Sequence, residues 1–364
     1  MKLVDIIDAL EQWAPKNLQE SYDNSGLQIG SRNKSVKKAL FTLDVTPEVV
    51  EEAKNKGCDL IIAHHPLIFK PLKKLTESNL VEKCVSLLIK NDIALYTIHT
   101  NLDNIDTGVN YEIAQQLGID SPKILLPGKS KLNKLVVFVP VKDTDTVADA
   151  MFKNGAGHIG KYSECSFQSN GTGTFKPNED ANPHVGKRGK RHLESETKLE
   201  VIVPDYKVSS VIKAMKQAHP YEEVAYDVLV LDNTFERIGS GMIGDLREPM
   251  DATAFLDKLK ETFNCGVVKY TRNGPKLIKH VAFCGGSGSF LIHAAKQAGA
   301  DIFITGDVTY HSFFDATETF MIADIGHYES EQFTSQHLMR YINKKFPTFA
   351  TLLTTVQTNP VNTH

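Results

Sequence analysis

The chain has little cysteine and none of it paired. Cys58, Cys84, Cys165, Cys265 and Cys284 are scattered over 364 residues and form no CxxC. That spacing argues against a disulfide framework or a thiolate metal site, and it suits a reducing compartment. Long apolar runs are also missing, and none reaches the length that crosses a bilayer. Charge of one sign is scarce: the net charge of −3 gives no general pull toward nucleic acid or an anionic membrane. At the N-terminus, Leu3, Ile6, Ile7, Leu10 and Trp13 recur at helical spacing with acids between them. This is the pattern of an amphipathic core helix, not of a signal peptide. Together these features predict a cytoplasmic protein. Apolar content of 41% and 23% charged residues are ordinary for a soluble globular chain, with length for about two or three domains.

Two distant stretches look like copies of one unit. Residues 39–65, ALFTLDVTPEVVEEAKNKGCDLIIAHH, read as strand, Thr-Pro helix start, helix, glycine stop and strand. Residues 280–307, HVAFCGGSGSFLIHAAKQAGADIFITGD, repeat that order, with Gly57 and Gly299 at the two helix ends. Each is a βαβ unit, which predicts parallel strands and a right-handed crossover. Downstream, residues 93–103 and 321–331 are apolar strands ending in His-x-x-x-acid, His99 with Asp103 and His327 with Glu331. The expected fold class is α/β. Two related α/β halves, 1–128 and 234–364, form a di-metal core, with ligand-type residues at the C-terminal strand ends where open parallel sheets bind ligands.

Residues 131–233 read differently, as βαββαβ, the ferredoxin-like pattern, and so as a domain inserted between the halves. Its segment GTGTFKPNEDANPHVGKRGKRHLESET lacks apolar periodicity and is expected to be a long mobile loop. The KRGKRH run within it reads as a solvated hairpin tip rather than a phosphate contact.

The stretch DLIIAHHPLIF ends a buried strand in two histidines and a proline. On a regular strand the two rings would point to opposite faces. At a strand end broken by Pro66 they can converge. His64, His65, Asp103, His327 and Glu331 then form a set of three imidazoles and two carboxylates. One four-coordinate metal leaves a ligand surplus, whereas two divalent ions sharing a carboxylate use the set fully. The N/O donors favour Zn, with Mn, Fe or Co as alternatives, over Ca or Mg. His99 either orients a ligand or moves protons. Asp307 and His311 are candidates for a supporting or proton-donating role, with a helix N-cap as the other reading of Asp307. CGGSGS at 284–289 reads as a tight turn, and Asn24 and Ser25 in DNSGLQIG as site rim.

AHHPLIF, YTIHTNLDN, TGDVTYH and GHYESE, in that order, resemble the motifs of the GTP cyclohydrolase 1 type 2 homologue family, also called NIF-three-like. The likeness spans about 1–128 and 234–364. AHPYEEVAYDVLVL at 218–231 is similar to the PII/CutA-type domain carried by longer members. The resemblance implies a di-metal centre on the same five ligands and a ring-shaped homohexamer whose metal sites face an internal cavity. It also implies a hydrolase that opens the guanine imidazole ring of GTP with formate release. Such an enzyme would act on a small molecule, a nucleotide, and not at a membrane or on nucleic acid. The alternatives are hydrolysis of a phosphoester or amide, and a non-enzymatic metal-binding or adaptor protein whose inserted domain senses a ligand.

Overall fold

The computed structural model describes residues 1–128 and 131–363. The chain divides into two compact units, one made of Met1–Gly128 with Glu236–His364 and the other of Lys129–Phe235. In chain order the strands are β1 (Gly26–Ile29), β2 (Lys38–Thr42), β3 (Leu60–Ala63), β4 (Ala94–Thr97) and β5 (Asp120–Pro127). Next come β6 (Lys131–Pro140), β7 (Ser166–Phe175), β8 (His192–Pro204) and β9 (Tyr226–Thr234). The last are β10 (Gly239–Asp251), β11 (Lys269–Tyr270), β12 (Leu277–Phe283), β13 (Ile302–Thr305), β14 (Met321–Asp324) and β15 (Ala350–Leu353).

The first unit is α/β and holds two sheets. One has the order β1-β4-β3-β2-β15, parallel except for β1. The other has the order β11-β14-β13-β12-β10-β5, with β12, β13 and β14 parallel. The duplicated sequence units are thus β2–helix–β3 and β12–helix–β13, each followed by a further parallel strand. The inner strands β3, β4, β13 and β14 are buried along their whole length. They must be apolar on both faces, as their sequences LIIA, ALYT, IFIT and MIAD are. Helices Pro47–Asn55 and Leu80–Lys90 cover one face of the first sheet through Val49, Val50, Ala53, Cys84, Val85 and Leu88. The first of these helices has Thr46 as N-cap and Pro47 at its first turn, the start expected from Thr-Pro.

The two sequence halves exchange their last strands. β15, from the C-terminal part, pairs with β2 in the first sheet. β5, from the N-terminal part, pairs with β10 in the second. Neither sheet is complete within a single half.

The second unit is a four-stranded antiparallel sheet of order β7-β8-β6-β9. Helices Thr144–Lys153 and Val208–Ala218 share one core with it, in which Leu135, Val137, Val139, Leu199, Val201 and Val203 meet Val147, Met151, Val211 and Met215. The long loop expected from the sequence is shorter than its composition suggests. Residues 171–175 and 192–197 are the ends of β7 and β8, paired in register from Ser166↔Val201 to Phe175↔His192. These arms are mostly exposed or half-buried and need cross-strand hydrogen bonds but little apolar alternation, so their sequence reads as loop. Only 176–191 connects the strands, with the KRGKRH run at the end of that connection.

Candidate metal centre

Each strand end of the two parallel sheets delivers one part of the site. After β3 the chain continues the ladder for two residues, with His64 N–H donating to Thr42 O at 3.3 Å and His65 N–H to Leu43 O at 3.0 Å. The rings then lie 4.9 Å apart at 45°, converging as a strand end permits. β4 leads into the short helix Thr100–Asp103, with His99 at its cap. β14 leads through Gly326, at φ +94°, into helix His327–Glu331, so His327 and Glu331 share a face. The C-terminal edges of both sheets therefore meet over one cluster.

The side nitrogens of the imidazoles are all anchored. His64 Nδ1 donates to Ile98 O at 2.8 Å. His65 Nδ1 meets Asp44 Oδ1 at 2.7 Å, His99 Nδ1 meets Asp23 Oδ1 at 2.8 Å, and His327 Nδ1 meets Asp307 Oδ2 at 2.7 Å. These partners each take an Nδ1–H and turn each Nε2 inward, the arrangement in which a histidine's far nitrogen is free to ligate a metal. The inward atoms gather into three groups, His64 with Asp103 and Glu331, His65 with His327 and Glu331, and His64 with His65 and His99. Glu331 belongs to two of them. Its Oε2 is 3.0 Å from His65 Nε2 and 3.2 Å from His327 Nε2, while Oε1 is 3.9 Å from His64 Nε2.

Two polar atoms at the centre lack a protein partner. His64 Nε2 and Asp103 Oδ1 are buried, accept and donate no hydrogen bond, and lie 3.6 Å apart. Buried polar atoms are rarely left so, because desolvation goes unrecovered. A tetrahedral cation with bonds of about 2.0–2.2 Å spans donors about 3.4 Å apart, close to this separation. The donor set fits a divalent metal.

The electrostatics agree. Burial holds the fully enclosed His64 neutral, with its pKa pushed down to about 3. Burial and the neighbouring Glu331 push Asp103 well above the carboxylate range. Burial alone would raise Glu331 as well, but hydrogen bonds from His327 and His65 outweigh it and hold it ionised. The glutamate contact lifts His327 to about 9. Against the cost of burial, Asp44 and Glu331 lift His65 to about 10. The two carboxylates repel, and both ionise together only with added positive charge between them.

The sequence did not single out Asp23 or Asp44. Asp23 lies beside the rim candidates Asn24 and Ser25, but it is the carboxylate that matters. It also accepts from Ser25 Oγ at 2.9 Å and Thr100 N–H at 3.1 Å. Ser25 thus supports Asp23, and Asn24 Nδ2 turns away to Ile68 O. Asp307 is not a helix cap, since Thr309 precedes the next helical turn. It sits at φ +52° and holds His327 and Ser287 Oγ. His311 is not brought into the cluster: it is exposed and packs its ring against Tyr310 and Phe314. The Gly-rich turn 284–289 has a role its sequence hid. Gly286 is at φ +61°, and a β-carbon there would lie 2.5 Å from Glu331 Oε1. Glycine gives Glu331 its place.

The fold and site describe an α/β protein with a carboxylate-supported histidine centre between two parallel sheet edges. The chain belongs to the Duf34/NIF3 (NGG1p interacting factor 3) family, whose sequence model matches residues 1–360. It is 42% identical over 324 residues to the GTP cyclohydrolase 1 type 2 homolog of Halalkalibacterium halodurans, covering 88% of this chain and 87% of that one. It is 41% identical to the Bacillus subtilis protein of the same description, covering 89% and 87%. Among solved structures it superposes on a Bacillus cereus protein related to NIF3 with a TM-score of 0.87, 40% identity and coverage of 100% and 99%. Staphylococcus aureus protein SA1388 follows with a TM-score of 0.75, 30% identity and the same coverage. Among the described residues no helix is long and apolar enough to cross a membrane.

Proposed function

We propose that this chain is a di-metal hydrolase, and that the observation carrying this reading is the pair of orphaned buried atoms His64 Nε2 and Asp103 Oδ1 beside the shared Glu331. His64, Asp103 and one oxygen of Glu331 would hold one divalent ion. His65, His327 and the other oxygen would hold the second. Zinc suits the mixed imidazole–carboxylate set, with Mn, Fe or Co as the other fits. When bound, such ions supply Lewis acidity, making water a nucleophile near neutral pH and stabilising negative charge that develops on the substrate.

The chain's own residues do the rest. Asp44, Asp23 and Asp307 keep the three imidazoles in one tautomer and one orientation. His99 shares a group with His64 and His65 yet is surplus to the two ligand sets, which frees its Nε2 to carry a proton. Two clefts reach the cluster, one past Tyr22 and Phe290 and one past Phe69 and Tyr328, so a small molecule can enter. The relatives' description makes GTP the first substrate to test. Releasing formate from the guanine imidazole ring adds two waters and breaks both C–N bonds of the carbon between the two nitrogens, one to open the ring and one to free formate, and His99 is the group able to protonate a departing nitrogen. The reading also takes Lys129–Phe235 as an inserted ferredoxin-like domain, from its strand order and helix placement. It takes the assembly as a cytoplasmic homohexameric ring, for which sedimentation equilibrium should return the mass of six chains.

The test is turnover. Full-length protein reconstituted with Zn, Mn, Fe or Co is incubated with GTP, and formate is measured. Formate release that disappears in His64→Ala supports the hydrolase. Metal-loaded protein that leaves GTP and a wider panel of nucleotides, phosphoesters and amides intact supports the non-enzymatic metal-binding role instead.

A further inference from the structure

The unit Lys129–Phe235 holds a cavity of its own, unrelated to the metal centre, of about 680 Å³. That is the size of a small-molecule site, for which about 300–1,000 Å³ is usual. It is enclosed by the sheet, the 176–191 connection and the segment after helix Val208–Ala218. Strand alternation places Leu199, Val201 and Val203 against the helices, so Glu196 and Lys198 on β8 face the other way, as does Phe138 on β6.

The walls are aromatic. Phe175 and Tyr221 have ring centroids 5.9 Å apart, and His184 from the connection lies 6.2 Å from Tyr221. The connection is pinned there, since Asn182 N–H donates to Glu222 Oε1 at 2.8 Å.

The floor carries a carboxylate. Glu196 is only 9% exposed. A β-carbon on Gly173 would come within 2.0 Å of its Oε2, so that glycine clears room for the carboxylate. Lys198, the next residue on that face, pairs with Glu200 at 2.5 Å instead. Among the described residues no cation forms an ion pair with Glu196. The Tyr221 hydroxyl is buried beside it and completes no hydrogen bond of normal geometry. Isolated buried carboxylates are costly, and they are tolerated where a cation arrives to pair with them.

We propose that this cavity binds a small organic cation, an amine or amidinium on a planar or apolar body, with its charged head at Glu196 and the Tyr221 hydroxyl. The body lies along Phe175, Phe138 and the prolines of the connection. Aromatic faces around an ammonium add cation–π attraction. A metal ion does not fit, because among the described residues no group of three His, Cys, Asp or Glu donors forms there. Around the cavity three carboxylates, Glu196, Glu222 and Glu223, face two lysines, Lys176 and Lys198, and Lys198 is paired with Glu200.

Four probes on related skeletons decide it: benzamidine, phenethylamine, phenethyl alcohol and phenylacetate. Each is titrated into the full-length chain at fixed metal loading, with binding read by saturation-transfer NMR and calorimetry. The two cations bind and the alcohol and carboxylate do not. Glu196→Gln keeps the side chain's shape and the fold, while cation affinity falls at least about tenfold. Tyr221→Phe keeps the ring and weakens binding about three- to tenfold. The assignment is overturned if the alcohol binds as well as the amine, if Glu196→Gln binds the cations unchanged, or if no probe binds at millimolar concentration.

Discussion

Replacing Glu331 with glutamine keeps the side chain's shape and removes its charge. On the proposed di-metal reading, the distances say which donor groups should feel the loss. Oε1 lies 3.9 Å from His64 Nε2, and Oε2 lies 3.0 Å and 3.2 Å from the Nε2 atoms of His65 and His327. One carboxylate therefore serves both donor groups. Asp103 enters only the group of His64, through an oxygen 3.6 Å away. Loss of a partner that merely supports a metal ligand costs about 10–100-fold in affinity. A shared anionic ligand should cost at least the upper end at each ion, about 100-fold or about 2.7 kcal/mol per site. The two cations also lose the charge that screens their repulsion, so the ions should leave together. Asp103→Asn should weaken one ion and leave the other close to wild type. Calorimetric titration with zinc, checked by elemental analysis, separates the outcomes. If Glu331→Gln loses one ion while Asp103→Asn loses both, the reasoning is refuted and Asp103 is the shared ligand. Saturation at one ion per wild-type chain would remove the dinuclear reading altogether.

Three further outcomes follow from other parts of the fold. Asp23→Asn leaves an amide N–H₂ facing donors from Ser25, Thr100, Asn24 or His99. It should cost about 2–4 kcal/mol in denaturant unfolding, the worth of one or two charge-assisted bonds. It should also change the His99 tautomer by imidazole ¹⁵N NMR while both ions stay bound. Excising the second unit by joining Gly128 to Glu236 through a few Gly/Ser residues should leave a folded chain that still binds metal. Gly128 N–H already donates to Ile238 O at 2.9 Å, so the cut ends lie side by side; a soluble product unable to hold metal counts against an inserted domain. Glu52 accepts from Lys56, Thr354 and Thr355, which outweigh the cost of burial and hold its pKa near about 2 against an ordinary 4.5. A depressed carboxylate stabilises the fold above its unfolded pKa. That contribution should fade as pH falls from about 4.5 toward 2, and Glu52→Gln should flatten this part of the melting-temperature profile.

The parallel strands of the first unit were legible because burial on both faces leaves no choice of residue. LIIA, IFIT and MIAD announce themselves, and a strand that runs into His or Asp at its end announces a site. The exchange of β5 and β15 between the sheets was not legible. Their sequences, DSPKILLP and ATLL, carry no mark of which neighbour they will pair with, because edge-strand pairing is decided by hydrogen bonds between backbones that are the same for any sequence. The outer arms of the β7–β8 hairpin, residues 171–175 and 192–197, were read as loop for the same reason. Their stability comes from register with a partner strand, while most of their side chains are exposed or half-buried and free to be polar.

Within the site the line between legible and hidden runs along the second shell. His64, His65, Asp103, His327 and Glu331 stand out because unusual residues cluster at strand ends at helical or adjacent spacing. Asp44 and Asp23 are single carboxylates in turns, where aspartate is common for local reasons, and nothing in their spacing points to a histidine 21 or 76 residues away. Only the sheet order makes them neighbours. β2 lies beside β3, so the residue two past the end of β2 reaches His65. β1 lies antiparallel beside β4, so the residue three before the start of β1 reaches His99. The carboxylate beside His65 was therefore deducible once the parallel order β4-β3-β2 was assumed, and the one beside His99 once β1 was placed next to β4; His64 is held by Ile98 O instead. Asp307 answers to the same rule, two residues past the end of β13 and beside the histidine that follows β14. The two pairs sit one strand out of step: Asp44 after β2 orients the imidazole after β3, whereas Asp307 after β13 orients the imidazole after β14.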